Sequence, residues 1–224
     1  MGLKVIITGA SGMVGRGVLL ECLESAHIDA VTIINRRSLE LDHPKLTELI
    51  LKDFNDCESL ELYGYDACYF CMGVSALGLN EAQYKSITYD LTMKFARHLV
   101  QNNRGAIFCY VSGAGTNVNS NTMWSRVKGQ TEEDVKTLPF KGVFLFRPGY
   151  IQPLKGIRSK TKLYNAIYVL LRPLSGLIKS VFKSAVTDTT SVGQAMINAT
   201  VFGWHQQVLD NKSINQLATR SSNN

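Results

Sequence analysis

The stretch TGASGMVG, Thr8 to Gly15, constrains this chain more than any other. It sets Gly9, Gly12 and Gly15 between LKVIIT (residues 3–8), a nearly all-apolar run that reads as a strand covered on both faces, and a segment in which Val14, Val18, Leu19, Cys22 and Leu23 recur at helical spacing. A helix is therefore predicted from about Gly12 to Glu24. Glycines placed between strand and helix permit a tight turn, close approach of a phosphate to the backbone and close packing of the helix. The start of that helix then presents N–H groups without intrahelical partners to an anion. Gly9, Ser11, Gly12, Met13, Val14 and Gly15 are accordingly expected to cradle the pyrophosphate of a dinucleotide.

The alternation continues. AVTIIN (30–35), LTELIL (46–51), DACYFCMG (66–73), AIFCYVS (106–112) and GVFLFR (142–147) read as further strands, with helices between them, most clearly Asn80–Gln101 and Thr122–Leu138. Strands alternating with helices imply βαβ crossovers and a parallel sheet covered on both faces, which is an α/β, doubly wound, Rossmann-type architecture. After Arg147 the rhythm changes: PGYIQPLKG reads as a loop, 160–182 as one or two helices kinked at Pro173, and Asp188–Thr200 as a helix with Val192, Met196 and Ala199 inward. The expectation is one dinucleotide-binding domain over 1–224, with a small part at about 150–224 facing a substrate or partner, and a frayed SSNN terminus.

The second strand closes on INRRS, and no acid stands there to take the ribose hydroxyls of NAD. Arg36 and Arg37 instead offer guanidinium groups suited to a 2′-phosphate, so NADP is expected in preference to NAD, with ordinary surface charge as the alternative. In KDF after the third strand, Asp53 and Phe54 supply a carboxylate and an aromatic edge to border the adenine. CMG after the fourth, Cys71, Met72 and Gly73, brings backbone near the cofactor's ribose. Cys68 and Cys71 are three apart, and such residues of a strand point to opposite faces, so no metal site is expected.

With 224 residues, 45% of them hydrophobic, the chain is long enough for a large core without disulfides, and its five irregularly spaced cysteines suit a reducing compartment. No signal-peptide pattern is read in MGLKVIITGA, so no leader is expected, and the apolar region Leu163–Phe182 is interrupted by Arg172-Pro173 and Lys179. A cytoplasmic protein without a membrane span is expected. The net charge of +6 is local: ten basic residues and no acid lie between Val135 and Thr187. Such a run suits a phosphorylated ligand, an anionic membrane or nucleic acid, or is simply a solvated face. No basic-aromatic motif of a nucleic-acid module is visible, so no nucleic-acid partner is expected.

Taken together, TGASGMVG, CMGVS, VSGAG, WSRVKG and FRPGYI, in this order, resemble the atypical and extended short-chain dehydrogenase/reductases, the group that includes NAD(P)-dependent epimerase/dehydratase-like and Tat-interacting-protein-like members. The resemblance implies that Ser112 and Lys128 match the family's serine and lysine, and that Pro148, Gly149 and Tyr150 run beside the nicotinamide end of the cofactor. The family's tyrosine, four residues before the lysine, is replaced by Trp124, and an indole N–H donates a hydrogen bond but does not cycle a proton near neutral pH. Ser112, Lys128 and Tyr150 are therefore the catalytic candidates, with Tyr150 or a bound water as the proton source and Lys128 holding the nicotinamide ribose.

Two functions follow. One is an oxidoreductase or epimerase-like enzyme acting on a small carbonyl or hydroxyl compound. The other is a dinucleotide-binding sensor or interaction protein that has lost catalysis. For the second, Tyr164, Ile167, Tyr168 and Leu171 form a helical stripe that suits a partner surface, or equally core or the seam of a homo-oligomer.

Overall fold

The computed structural model describes residues 2–157 and 186–221. The basic residues Arg158, Lys160, Lys162, Arg172, Lys179 and Lys183, the kink at Pro173, the Tyr164–Leu171 stripe and the SSNN terminus beyond Ser221 lie outside them. In chain order the elements are β1 (Leu3–Thr8), α1 (Met13–Glu24), β2 (Ile28–Asn35), β3 (Leu46–Ile50), a 3-10 turn (Phe54–Ser59), β4 (Ala67–Phe70), α2 (Glu81–Lys85), a π-helical turn (Ser86–Asp90), α3 (Leu91–Asn102), β5 (Ile107–Val111), α4 (Met123–Lys136), β6 (Gly142–Phe146), β7 (Tyr150–Gln152), β8 (Val186–Asp188), α5 (Thr189–Phe202), β9 (Val208–Leu209) and α6 (Asn211–Ala218).

Seven strands form one parallel sheet in the order β3-β2-β1-β4-β5-β6-β9. The order reverses between β1 and β4, and in open sheets of this kind the crevice outside the carboxyl ends at that reversal is where ligands bind. Alternate residues of each strand feed opposite layers, as a two-residue period requires. Val5, Ile7, Ile33, Tyr69, Cys109 and Phe146 pack with α1, α5 and α6 on one face. Ile6, Ile34, Cys68, Phe70, Phe108, Tyr110 and Leu145 pack with α3, α4 and the 3-10 turn on the other. Cys68 is thus buried in one layer while Cys71 packs against the other; the five cysteines are free, and no metal-holding cluster exists among the described residues.

α1 and α5 cross closely because two glycines let them. A Cβ at Gly17 would sit 2.6 Å from Thr189 Cβ, and one at Gly193 2.6 Å from Glu21 Cγ. Val192, Met196 and Ala199 of α5 are fully buried, as the spacing predicts. Two expectations are corrected. The helix over 80–101 contains the π-helical turn at Ser86–Asp90, and PGYIQP is not wholly a loop, since β7 pairs in parallel with β8. Flanking prolines hid a strand whose partner lies more than 30 residues away.

Candidate functional site

The carboxyl end of β1 turns sharply into α1. Gly9 has φ of +72°, and a Cβ there would lie 2.7 Å from the backbone of Cys71 and Met72. At Gly15 a Cβ would lie 2.3 Å from the Gly9 carbonyl oxygen. The loop is therefore wound against the end of β4 in a way that only glycine permits. No side chain caps α1, and no acid occupies its first turn. Nearby, Thr8 Oγ1 and Asn35 Nδ2 are buried without a hydrogen-bond partner among the described residues. An uncapped helix start, a tight glycine cradle and two orphaned polar atoms at neighbouring strand ends fit a bound dinucleotide, with its pyrophosphate at α1.

Around the expected adenosine end, Arg36 and Arg37 are exposed just past β2, and neither is engaged in an ion pair among the described residues. Asp53 is exposed and caps the 3-10 turn, accepting from the Asn55 backbone N–H at 2.9 Å; hydrogen bonds from Asn55 hold its carboxyl below the usual range. Phe54 does not offer an aromatic edge. Its ring is buried against Phe95 and Phe70, with centroids 5.4 and 6.4 Å away, because the turn that follows β3 points it into the core.

A cavity of about 890 Å³ opens at the sheet reversal. Met13 and Val14 of α1 form one end, and Cys71 to Leu77 after β4 form a side. Val111 to Ala114, Thr122 to Trp124, Lys128, Pro148, Gly149, Ile151 and Tyr84 complete the wall. It thus gathers Met13, Val14, Cys71, Met72, Gly73, Ser112, Lys128, Pro148 and Gly149 of the expected site. Tyr150 is not among the lining residues, although both its neighbours are; it is half-buried, and loss of hydration raises its phenol above the ordinary value.

The serine and lysine are placed differently from one another. Ser112 is 3% exposed, and its hydroxyl donates to Glu132 Oε1 at 2.5 Å, with the Phe146 carbonyl at 3.2 Å. Glu132 is fully buried and also accepts from Arg147 Nε, at 3.0 and 3.1 Å, and from Arg147 Nη2. The single hydroxyl proton of Ser112 therefore points into an ion pair beneath the cavity floor. Lys128 Nζ donates to the Ser112 carbonyl from the cavity side. Burial pushes its ammonium down to about 8, with Glu132, one helical turn on, acting in the opposite sense.

Trp124 stands one turn before Lys128 and lies over Gly115, where a Cβ would come 3.3 Å from Trp124 Cη2. Ser125 is buried and ties down the preceding loop, donating to the Gly115 carbonyl at 2.6 Å and accepting from Asn117 N–H at 3.1 Å. Gly129 is required by the same loop, since a Cβ there would lie 2.2 Å from Val118 N. Glu132, Arg147 and Tyr84 were not anticipated as parts of the site. Glu132 carried one usable signal, a position four residues after Lys128 and seven after Ser125 on a helix, which puts it on their face.

Comparison with known proteins places this arrangement. No protein-family model matches the chain. "Protein fmp52, mitochondrial" of Emericella nidulans is 27% identical over 208 residues, covering 88% of this chain and 86% of that protein. "Protein HTATIP2" of Rattus norvegicus is 28% identical over 153 residues, covering 66% and 62%. Among solved structures, a short chain dehydrogenase family protein from Francisella tularensis superposes with a TM-score of 0.67 at 14% identity, over 95% of this chain and 99% of that one. The Bordetella bronchiseptica enzyme WbmH, in complex with NAD+, gives 0.66 at 16%, over 93% and 74%. These structural likenesses establish the fold. The expected cytoplasmic location is corrected, because the Fmp52 relatives are named mitochondrial proteins and point to the mitochondrion instead.

Proposed function

Since the chain is a homologue of the Fmp52 and Tat-interacting-protein-like proteins on a short-chain dehydrogenase/reductase fold, we propose that it is a dinucleotide-dependent oxidoreductase that prefers NADP(H) and acts on a small carbonyl or hydroxyl compound. One observation carries the reading: a single cavity runs from the glycine loop at α1 to Lys128 across the sheet reversal. A bound nicotinamide dinucleotide supplies the hydride chemistry. Gly9, Gly12 and the start of α1 hold its pyrophosphate, Arg36 and Arg37 a 2′-phosphate, and Lys128 the nicotinamide ribose. Several structural neighbours were solved with NAD, which supports the cofactor class.

The wall at the far end favours a modest, uncharged substrate. Val74, Leu77, Met123, Trp124 and Ile151 are apolar, and Lys128 is the only charged lining residue among those described. A second reading, a dinucleotide sensor without turnover, is favoured by the hydroxyl of Ser112, which is committed to Glu132 rather than to the cavity. Thermal shift with NADPH and with NADH, followed by cofactor oxidation over a panel of small aldehydes and ketones, tests both. A larger shift with NADPH and measurable turnover is expected. A shift without turnover selects the sensor, and no shift with either nucleotide removes both readings.

A further inference from the structure

Resting on the oxidoreductase reading, we propose that Lys128 is itself the proton donor, taking over the task for which Trp124 leaves no hydroxyl. Three of the described residues that line the cavity carry a titratable group: Cys71, Tyr84 and Lys128. The Cys71 thiol is pushed up to about 12 by burial, and the Tyr84 phenol is raised by the same cause. Neither releases or takes a proton readily near neutral pH. Ser112 is removed from the task because its proton is held by Glu132. Trp124 cannot cycle its N–H proton. That leaves the ammonium of Lys128, which lines the cavity and is anchored from the side by the Ser112 carbonyl.

The anchor suits either protonation state. An ammonium has three N–H bonds and an amine two, so one can stay on the carbonyl while another faces the substrate oxygen. The surrounding charges agree. Glu132 on the same helix opposes the loss of charge on Lys128, but its own charge is engaged by Arg147 from the end of β6. From α2, Tyr84 also lines the cavity, and its phenol, raised by burial, is neutral. Balanced between burial and Glu132, the amine sits at about 8, where a general acid works best near neutral pH.

The step balances. Hydride passes from the reduced nicotinamide to the carbonyl carbon, the C=O π pair moves to oxygen, and a proton from Lys128 completes the alcohol. Oxidised cofactor and a neutral amine remain, and the amine recovers its proton from water.

Two readouts test this. In protein labelled with 15N-lysine, the Lys128 Nζ signal, assigned by its loss in Lys128→Met, is expected to titrate near pH 8 in the substrate-free protein. An ordinary lysine midpoint would overturn the proposal. In turnover, kcat for carbonyl reduction is expected to fall as pH rises through that midpoint. Lys128→Arg, which keeps the charge but does not release a proton, is expected to lose roughly 10²- to 10⁴-fold in kcat measured at saturating NADPH. Full turnover by Lys128→Arg, or a flat profile from pH 7 to 10, refutes Lys128 as donor while leaving the oxidoreductase reading intact. Failure of the wild type to turn over any carbonyl in the panel overturns both.

Discussion

Glu132→Gln is the substitution whose effect the structure specifies most closely. The carboxylate is fully buried and satisfied from two sides, by Ser112 Oγ at 2.5 Å and by Arg147 through Nε and Nη2. Glutamine matches it in volume, so no cavity forms. Its remaining oxygen can still accept from Ser112, but an NH2 group then faces the guanidinium, donor against donor. Two charge-assisted bonds at roughly 1.5–3 kcal/mol each are lost. Arg147 softens the loss, because 29% of its side chain remains accessible and water can take up part of its charge. A net destabilisation of about 2–4 kcal/mol is expected, below the upper end of the cost of breaking a fully buried pair. For a chain of this length, that lowers Tm by roughly 5–15 °C.

Urea unfolding at pH 7 measures the effect directly. A cycle with Arg147→Met separates the pair from other consequences of burial, and should show a coupling of at least about 1.5 kcal/mol. A Glu132→Gln protein that loses under about 0.5 kcal/mol, or a double mutant that behaves additively, would show that the ion pair does not hold β5, α4 and β6 together.

Gly9→Ala should lower Tm by about 4–12 °C and abolish the NADPH-induced shift, because the left-handed backbone and the 2.7 Å approach to Cys71 and Met72 both reject a Cβ; a wild-type melting curve with an intact shift would count against it. Replacing Arg36 and Arg37 together by alanine should weaken NADPH binding roughly 10- to 100-fold while changing NADH binding by less than about 3-fold, as isothermal titration can show; equal losses for both nucleotides would remove the 2′-phosphate contact. Lys128 also makes stability depend on pH. Its folded value of about 8 lies below that of an exposed lysine, so below pH 8 both states are charged and its contribution is constant; above 8 only the unfolded chain keeps the proton, and stability rises until the ordinary lysine value is passed. The wild type should therefore gain stability relative to Lys128→Met between about pH 8 and 10, and a pH-independent difference would contradict the lowered value of this half-buried lysine.

What could be read from the sequence was local. The β1–loop–α1 unit declares itself within 22 residues, because strand period, glycine spacing and helix period are contiguous. The parallel sheet followed from repetition of that signal. The parts that were missed depend on partners far along the chain. β7 exists through pairing with β8, β9 is two residues held by β6, and α6 is a polar eight-residue helix whose Ile214 and Leu217 are buried beside α5.

The basic segment shows the same limit in charge rather than backbone. Read alone it is a run of cations. Of the four described basic residues in it, however, Lys136 pairs with Glu133, Arg147 with Glu132, and Lys155 with Glu21 and Glu24 of α1. Counting charges along the sequence cannot see acids that the fold brings from 15 or 131 residues away. The same is true of the site itself. Ser112 and Lys128 were found through their match to a family motif, but the direction of the serine hydroxyl depends on Glu132, which accepts its hydrogen bond. The lysine lines the cavity instead, which is why the donor role is proposed for it.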